Sequence, residues 1–216
     1  MGAIAKFFVD GGPWMYPIAL MSVIGLAICI ERFIFLFFKY NINGSAFMAQ
    51  IQKLVMANNI DRAIKLCNAA PSAALPKVIK AGLTRANKGE VEIQNAVEEA
   101  TLEVVPQIQK RTNSLQAVAN LATLLGLLGT VIGLIQAFEA VASAAPDQKA
   151  TMLTKSISIA MNTTAFGLMV AIPVMAVHVI LAGITKKIID EIDQYSVKLE
   201  NLLISRGKGA QSPLDR

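Results

Sequence analysis

Three long apolar runs alternate with polar, charged segments along this chain. The first is uncharged from residue 11 to residue 30, crosses Glu31 and Arg32, and resumes as an apolar stretch to Phe38. The second carries no charge from Thr112 to Phe138, and the third none from Ser156 to Thr185 with His178 neutral. A helix crossing the hydrocarbon core of a bilayer needs about 20 consecutive apolar residues. The pattern therefore predicts three transmembrane helices, at 13–38, 114–140 and 156–184, with a segment 1–12 ahead of the first, a loop 141–155 between the second and third, and polar segments at 39–113 and 185–216.

The outer end of the first span is marked by Gly11, Gly12, Pro13 and Pro17, which keep a helix from running straight in, and by Trp14 and Tyr16, whose rings suit the headgroup level. Ahead of them, Ile4, Phe7 and Phe8 with Lys6 fit a short interfacial helix. The apolar run is too long for a signal peptide, and Asp10 stands where a basic segment would precede one, so the span is expected to be retained.

Orientation follows from lysine and arginine. Segment 39–115 holds ten of them and 184–216 holds six, whereas 1–13 holds only Lys6 and 139–155 only Lys149 and Lys155. The two basic segments are therefore expected to face the cytoplasm, with the N-terminus and the 141–155 loop in the periplasm. The cytoplasmic part reads as helical. Leu54, Val55, Asn58, Asp61, Arg62 and Lys65 fit one helix with a polar stripe, Pro71 and Pro76 punctuate the chain, and Asn87 to Gly89 marks a turn. Residues 90–109 form a second helical pattern, with Pro106 breaking or kinking it. The third span is expected to continue as helix to about Leu203, with a disordered tail from Arg206. The fold class is thus all-α: an integral membrane protein with three transmembrane helices and long cytoplasmic helical extensions.

Within the second span Ala119, Ala122, Gly126, Thr130, Gly133 and Ala137 recur at steps of three or four, one face of a helix, with Gly129 and Gly133 a small pair on the adjoining face. In the third, Ser156, Ala160, Thr164, Gly167 and Ala171 form a comparable stripe, Asn162 and Thr163 add polar groups beside it, and Pro173 frees the carbonyl of Met169. The spans run in opposite directions. At 1.5 Å per residue, Thr130 lies roughly 15 Å below the outer end of its span and Thr164 roughly 12 Å below its own, so two hydroxyls share one level. Such stripes are packing surfaces more often than conduction paths, and the pattern leaves both open.

An ion pathway needs a group in the membrane that titrates or ligates. Neither the second nor the third span has an Asp, Glu, Lys or Arg. Glu31 sits near the inner end of the first span, where it snorkels or pairs with another helix. Glu139 stands at the outer mouth of the second, either as a solvated loop residue or as an entrance charge. His178, near the inner end of the third, reads as hydrogen-bonded within the bundle. If the chain uses an ion gradient, the carboxylate must come from another chain, docked on the small-residue faces.

Composition agrees. The chain is 54% hydrophobic and 16% charged, against about 25% charged in soluble domains. The net charge of +5 sits in the segments flanking the spans, with no aromatic interleaving to suggest nucleic acid. Cys29 and Cys67 are far apart, with a single histidine in the chain, so no disulfide, metal site or cofactor site is readable. No catalytic constellation converges, which speaks against an enzyme.

These motifs together resemble a known family. Gly11-Gly-Pro-Trp-Met-Tyr-Pro17 followed by an apolar helix ending in Glu31-Arg32, Leu124-Leu-Gly-Leu-Leu-Gly-Thr-Val-Ile-Gly133 with Phe138 beyond it, and Asn162-Thr-Thr-Ala-Phe-Gly-Leu-Met-Val-Ala-Ile-Pro173 are similar to the three spans of the MotA/TolQ/ExbB family. The resemblance implies a pentamer around a dimer of a single-span partner like ExbD or TolR, which carries a membrane aspartate. It implies that proton flow drives relative rotation, and that work passes to a TonB-like or TolA-like protein or to a motility apparatus. It places Thr130 and Thr164 on the family's pore-lining threonines, with Thr163 and Asn162 beside the pathway and Gly126, Gly129, Gly133, Ala160, Gly167 and Ala171 as the packing surface around the partner helix. The chain departs from the pattern at Ile159, where a glutamate is usual, and at Thr123, where a proline is usual. A non-conducting membrane scaffold is the rival reading. A solute transporter would call for repeats or broken helices that are not visible.

Overall fold

The computed structural model of the chain describes residues 7–8, 11–36 and 42–211, with side chains as far as Arg206. Among these residues the regular structure is helical: α1 (Met15–Ile34), α2 (Gly44–Met56), α3 (Ile60–Asn68), α4 (Ala74–Thr84), α5 (Glu90–Gln109), α6 (Thr112–Ser143) and α7 (Lys149–Gln211). Three helical stretches, within α1, α6 and α7, are long and apolar enough to cross a membrane. The chain divides into two compact units, one of Met1–Arg32 with Arg111–Ile180, the other of Phe33–Lys110 with Leu181–Arg216.

In the first unit α1, α6 and the first half of α7 turn small residues inward and bulky apolar ones outward. Ala119, Ala122, Ala137, Ala160 and Ala171 are buried, while Val23, Leu124, Leu127, Ile135, Met169 and Ile172 are exposed. That is the inverse of a water-soluble bundle and suits a lipid surround, where association relies on close backbone packing. All three helices meet at Gly25. A Cβ there would stand 3.1 Å from a methyl of Val174 and 3.2 Å from one of Val118.

In the second unit the remainder of α7 supplies a buried stripe of Leu181, Ile188, Ile192, Tyr195, Leu199 and Leu203, at helical spacing. It meets α2 at Gly44, beside Tyr195, and α4 at Gly82, beside Leu199. Asn43 caps α2, its side-chain oxygen accepting from the Ala46 N–H at 3.2 Å. Pro76 falls in the first turn of α4, where a missing N–H leaves no bond unmade.

Four boundaries differ from the sequence expectation. The helix drawn through Leu54 and Lys65 is two helices, because Asn58 adopts a left-handed φ of 57° between α2 and α3, a conformation asparagine tolerates better than most residues. Pro106 lies inside α5, whose last turn closes through the Lys110 N–H to the Pro106 carbonyl at 2.9 Å; the chain breaks afterwards, at Arg111 with φ 63°. The segment 141–155 is mostly helix, since alanines carry α6 to Ser143 and α7 begins at Lys149, leaving 144–148 around Pro146 as the connection. Finally, α7 continues past Leu203 to Gln211. The rest of the expected disordered tail, 212–216, lies outside the described residues, as do Ile4, Lys6, Asp10 and Phe38. Phe7 and Phe8 are described: their rings stand edge-on to Phe166 of α7, at 6.1 and 5.1 Å between centroids.

Candidate functional site

The site is built where α6 and α7 cross. Gly126 and Gly167 oppose each other there. A Cβ on Gly167 would lie 2.8 Å from the Ala122 carbonyl oxygen and 3.0 Å from the Gly126 Cα, and one on Gly126 would lie 3.2 Å from the Gly167 Cα. Backbone meets backbone, and no rotamer change relieves such a contact. Further along each helix the space is filled by threonine and, two turns on, by alanine: a Cβ on Gly133 would stand 3.0 Å from that of Ala160.

This approach delivers the two threonines to each other. The Thr130 and Thr164 hydroxyls are in direct hydrogen-bond contact. The Gly126 carbonyl accepts from Thr164 at 3.0 Å and from Thr130 at 3.2 Å, and the Ala160 carbonyl lies 3.3 Å from the Thr130 oxygen. Each hydroxyl has one proton and the carbonyls can only accept. Two protons therefore serve four contacts, and the pair has more than one donor arrangement. Such a pair can orient a neighbour or reverse the sense of a hydrogen-bond chain. It cannot store a proton.

The other expected site residues separate. Thr163 is buried and turned to the first span: its hydroxyl is 2.9 Å from the Gly11 carbonyl and 3.0 Å from that of Ile159, and its methyl presses on Gly129, with the Trp14 Cβ 3.2 Å from where a Cβ on that glycine would stand. Asn162 is half-buried and makes no side-chain hydrogen bond among the described residues. Ala171 is buried. Gly126, Gly129, Gly133, Ala160 and Gly167, the surface expected around a partner helix, all pack against the chain's own helices.

Near the other end of these helices Glu31 and His178 both have partners. Glu31 forms an ion pair with Arg111, just ahead of α6. His Nδ1 of residue 178 lies 3.0 Å from the Thr112 carbonyl oxygen and, facing an acceptor, carries the proton. Sequence reasoning left the partner of Glu31 open and missed the Gly11–Thr163 tie. The first was readable in principle, since Glu31 and Arg111 are opposite charges ending the first span and beginning the second on one expected side. The second involves a backbone carbonyl and leaves no signal in residue type. Glu139 is exposed.

The model of the MotA/TolQ/ExbB proton channel family matches residues 70–194, which take in all of α4, α5 and α6 and α7 as far as Gln194. Two relatives named for biopolymer transport cover nearly the whole chain. The ExbB-like 1 protein of Synechocystis sp. is 28% identical over 199 residues, 89% of this chain and 76% of that protein. The ExbB homolog of Methanothermobacter thermautotrophicus is 25% identical over 193 residues, 89% of this chain and 67% of its own.

Proposed function

This chain belongs to the MotA/TolQ/ExbB proton channel family, and from that premise we propose that it is the multi-span subunit of a complex that converts the proton motive force into mechanical work. In this reading it sits in a bacterial inner membrane with its N-terminus and the 144–148 connection in the periplasm and its second unit and C-terminus in the cytoplasm, as the distribution of lysine and arginine favours. Five copies enclose a dimer of a single-span ExbD-like or TolR-like subunit. The output goes to a TonB-like or TolA-like protein in envelope transport, or to a motility apparatus.

The observation that carries the reading is the hydroxyl pair of Thr130 and Thr164 at one level of two spans without a formal charge. These groups can pass or orient a proton but not hold one. The acid that takes it up must belong to the partner helix, and the reading assigns it a membrane aspartate there. One charge falling through 100 mV releases about 2.3 kcal/mol, enough to shift one packed helix against another. Asn162, half-buried and without a side-chain hydrogen bond among the described residues, is available to the same pathway.

A second reading, a non-conducting scaffold, has its own observation: both hydroxyls already find carbonyl acceptors inside the chain. Thr130→Val and Thr164→Val separate the two. Valine keeps the shape and removes the hydroxyl, at about 1 kcal/mol of stability. The proposal expects assembly with the partner to persist and proton-dependent work to fall sharply in either variant. Work that survives both replacements, with assembly intact, assigns the hydroxyls to packing alone.

A further inference from the structure

The second unit carries two outward surfaces of opposite charge, neither of them ion-paired among the described residues. The first is a groove of about 580 Å³ between α2 and α3. Leu54 and Leu66 give it an apolar floor, and Lys53, Arg62 and Lys65 line it with no acid among the lining residues. Arg62 and Lys65, three apart, project from one face of α3 while Lys53 approaches from α2. Among the described residues none of the three makes an ion pair.

The second surface is the outer ridge of α5. Leu102 stands on it 68% exposed. Glu98 and Glu99 lie one turn before it and Glu103 beside it, so carboxylates flank the leucine on both sides. None of the three has an ion-pair partner among the described residues, although Glu99 and Glu103 share a neighbouring groove with Lys77 and Lys80 of α4. Glu98 also stands near Glu200 of α7, whose carboxyl is held above the usual carboxylate range by burial first and by the Glu98 charge second.

We propose that the α5 ridge of one copy lies in the α2–α3 groove of the next, with Leu102 on Leu54 and Leu66 and the three carboxylates against Lys53, Arg62 and Lys65. The match is one of type as well as charge: an exposed apolar residue between acids meets an apolar floor between bases, the form of helix-in-groove recognition. Both halves belong to the same chain, which selects a second copy as occupant over an unrelated acidic segment. They also lie on different helices, so the contact is head-to-tail and repeats from copy to copy until a ring closes. The inference rests on the proposed self-association and supplies its contact surface outside the membrane spans.

The test uses the full-length chain in native membranes, with Cys29 and Cys67 replaced by alanine and a short bifunctional thiol reagent. A chain carrying both Ala69→Cys, at the groove, and Leu102→Cys, on the ridge, is expected to give a ladder of crosslinked species beyond dimer. Two co-expressed chains, each with one of these cysteines, are expected to stop at dimer. Reversal of the groove (K53E/R62E/K65E) or of the ridge (E98K/E99K/E103K) should lower the yield about tenfold, and the combination should restore it to within about twofold of the parent. Restoration also shows that the reversed chains fold. No crosslink in a chain that native mass spectrometry finds oligomeric overturns this surface and leaves the oligomer standing. A monomeric chain overturns both. A crosslink from Ala69→Cys to a protein of another mass assigns the groove to a different partner and overturns the proposal too.

Discussion

Gly167→Ala adds one methyl at the point where α7 crosses α6. That methyl would meet the Ala122 carbonyl oxygen at 2.8 Å and the Gly126 Cα at 3.0 Å, against ordinary contact at 3.4 Å or more. Both obstacles are backbone, so the two helices must part by several tenths of an ångström along a packed seam. Overpacking of this kind costs about 1–3 kcal/mol. The same substitution gains helix propensity, about 0.8–1.0 kcal/mol in a helix interior. Gly183→Ala isolates the second effect, because a Cβ at Gly183 meets nothing within 4 Å on the same helix. Propensity cancels in the comparison, and the two variants should differ by the packing penalty alone, about 1–3 kcal/mol. Reversible unfolding of the purified chain in mixed detergent and sodium dodecyl sulfate, followed by far-ultraviolet circular dichroism, reads this directly. Gly183→Ala should match or exceed the parent and Gly167→Ala should fall below it. Equal stabilities for the two variants would show that α6 and α7 do not meet through bare backbone at this level.

Three further outcomes follow from the second unit. Asn58→Val forces a β-branched residue into φ 57° and should lower stability by about 1–2 kcal/mol in thermal unfolding, whereas Asn58→Gly, free of that strain, should lose less. Burial pushes the Cys67 thiol up to about 11, only partly offset by Lys80 and a backbone hydrogen bond, so alkylation at pH 8 should run about a hundredfold slower than at an ordinary exposed cysteine and climb as pH approaches 11; rapid labelling at pH 8 contradicts the burial. The Glu200 carboxyl is raised by burial and then by Glu98, so the folded chain holds its proton more tightly than the unfolded chain. That contribution to stability is present at low pH and lost as pH rises through the folded value; Glu200→Gln should therefore be more stable than the parent at neutral pH, with the difference shrinking on acidification in a pH series of melts.

The spans were legible because a bilayer imposes a length and an apolar composition that survive without any knowledge of packing. The level shared by Thr130 and Thr164 was legible for a related reason: on antiparallel helices, depth is arithmetic. What lies around each helix axis was less so. Thr163 and Thr164 are adjacent in sequence, yet a turn of about 100° sends one hydroxyl to Gly11 and the other to Thr130. The glycine stripes announced close approach without saying to what; within the chain they meet its own helices. Asn58 was read as one more polar position on a stripe, although its residue type is among the few that accept a left-handed φ and so end a helix. The helical pattern at 90–109 did not show which way Leu102 faces; that it stands outward among Glu98, Glu99 and Glu103 needed the buried set of Ile93, Val97, Val104 and Ile108 to fix the helix rotation.

The seam at Gly126 and Gly167 also bears on what can pass between α6 and α7. Where a methyl group finds no room, a file of water finds none, and neither helix offers a charge to draw an ion into the hydrocarbon. The line of contact between α6 and α7 is thus closed to solvent at this level.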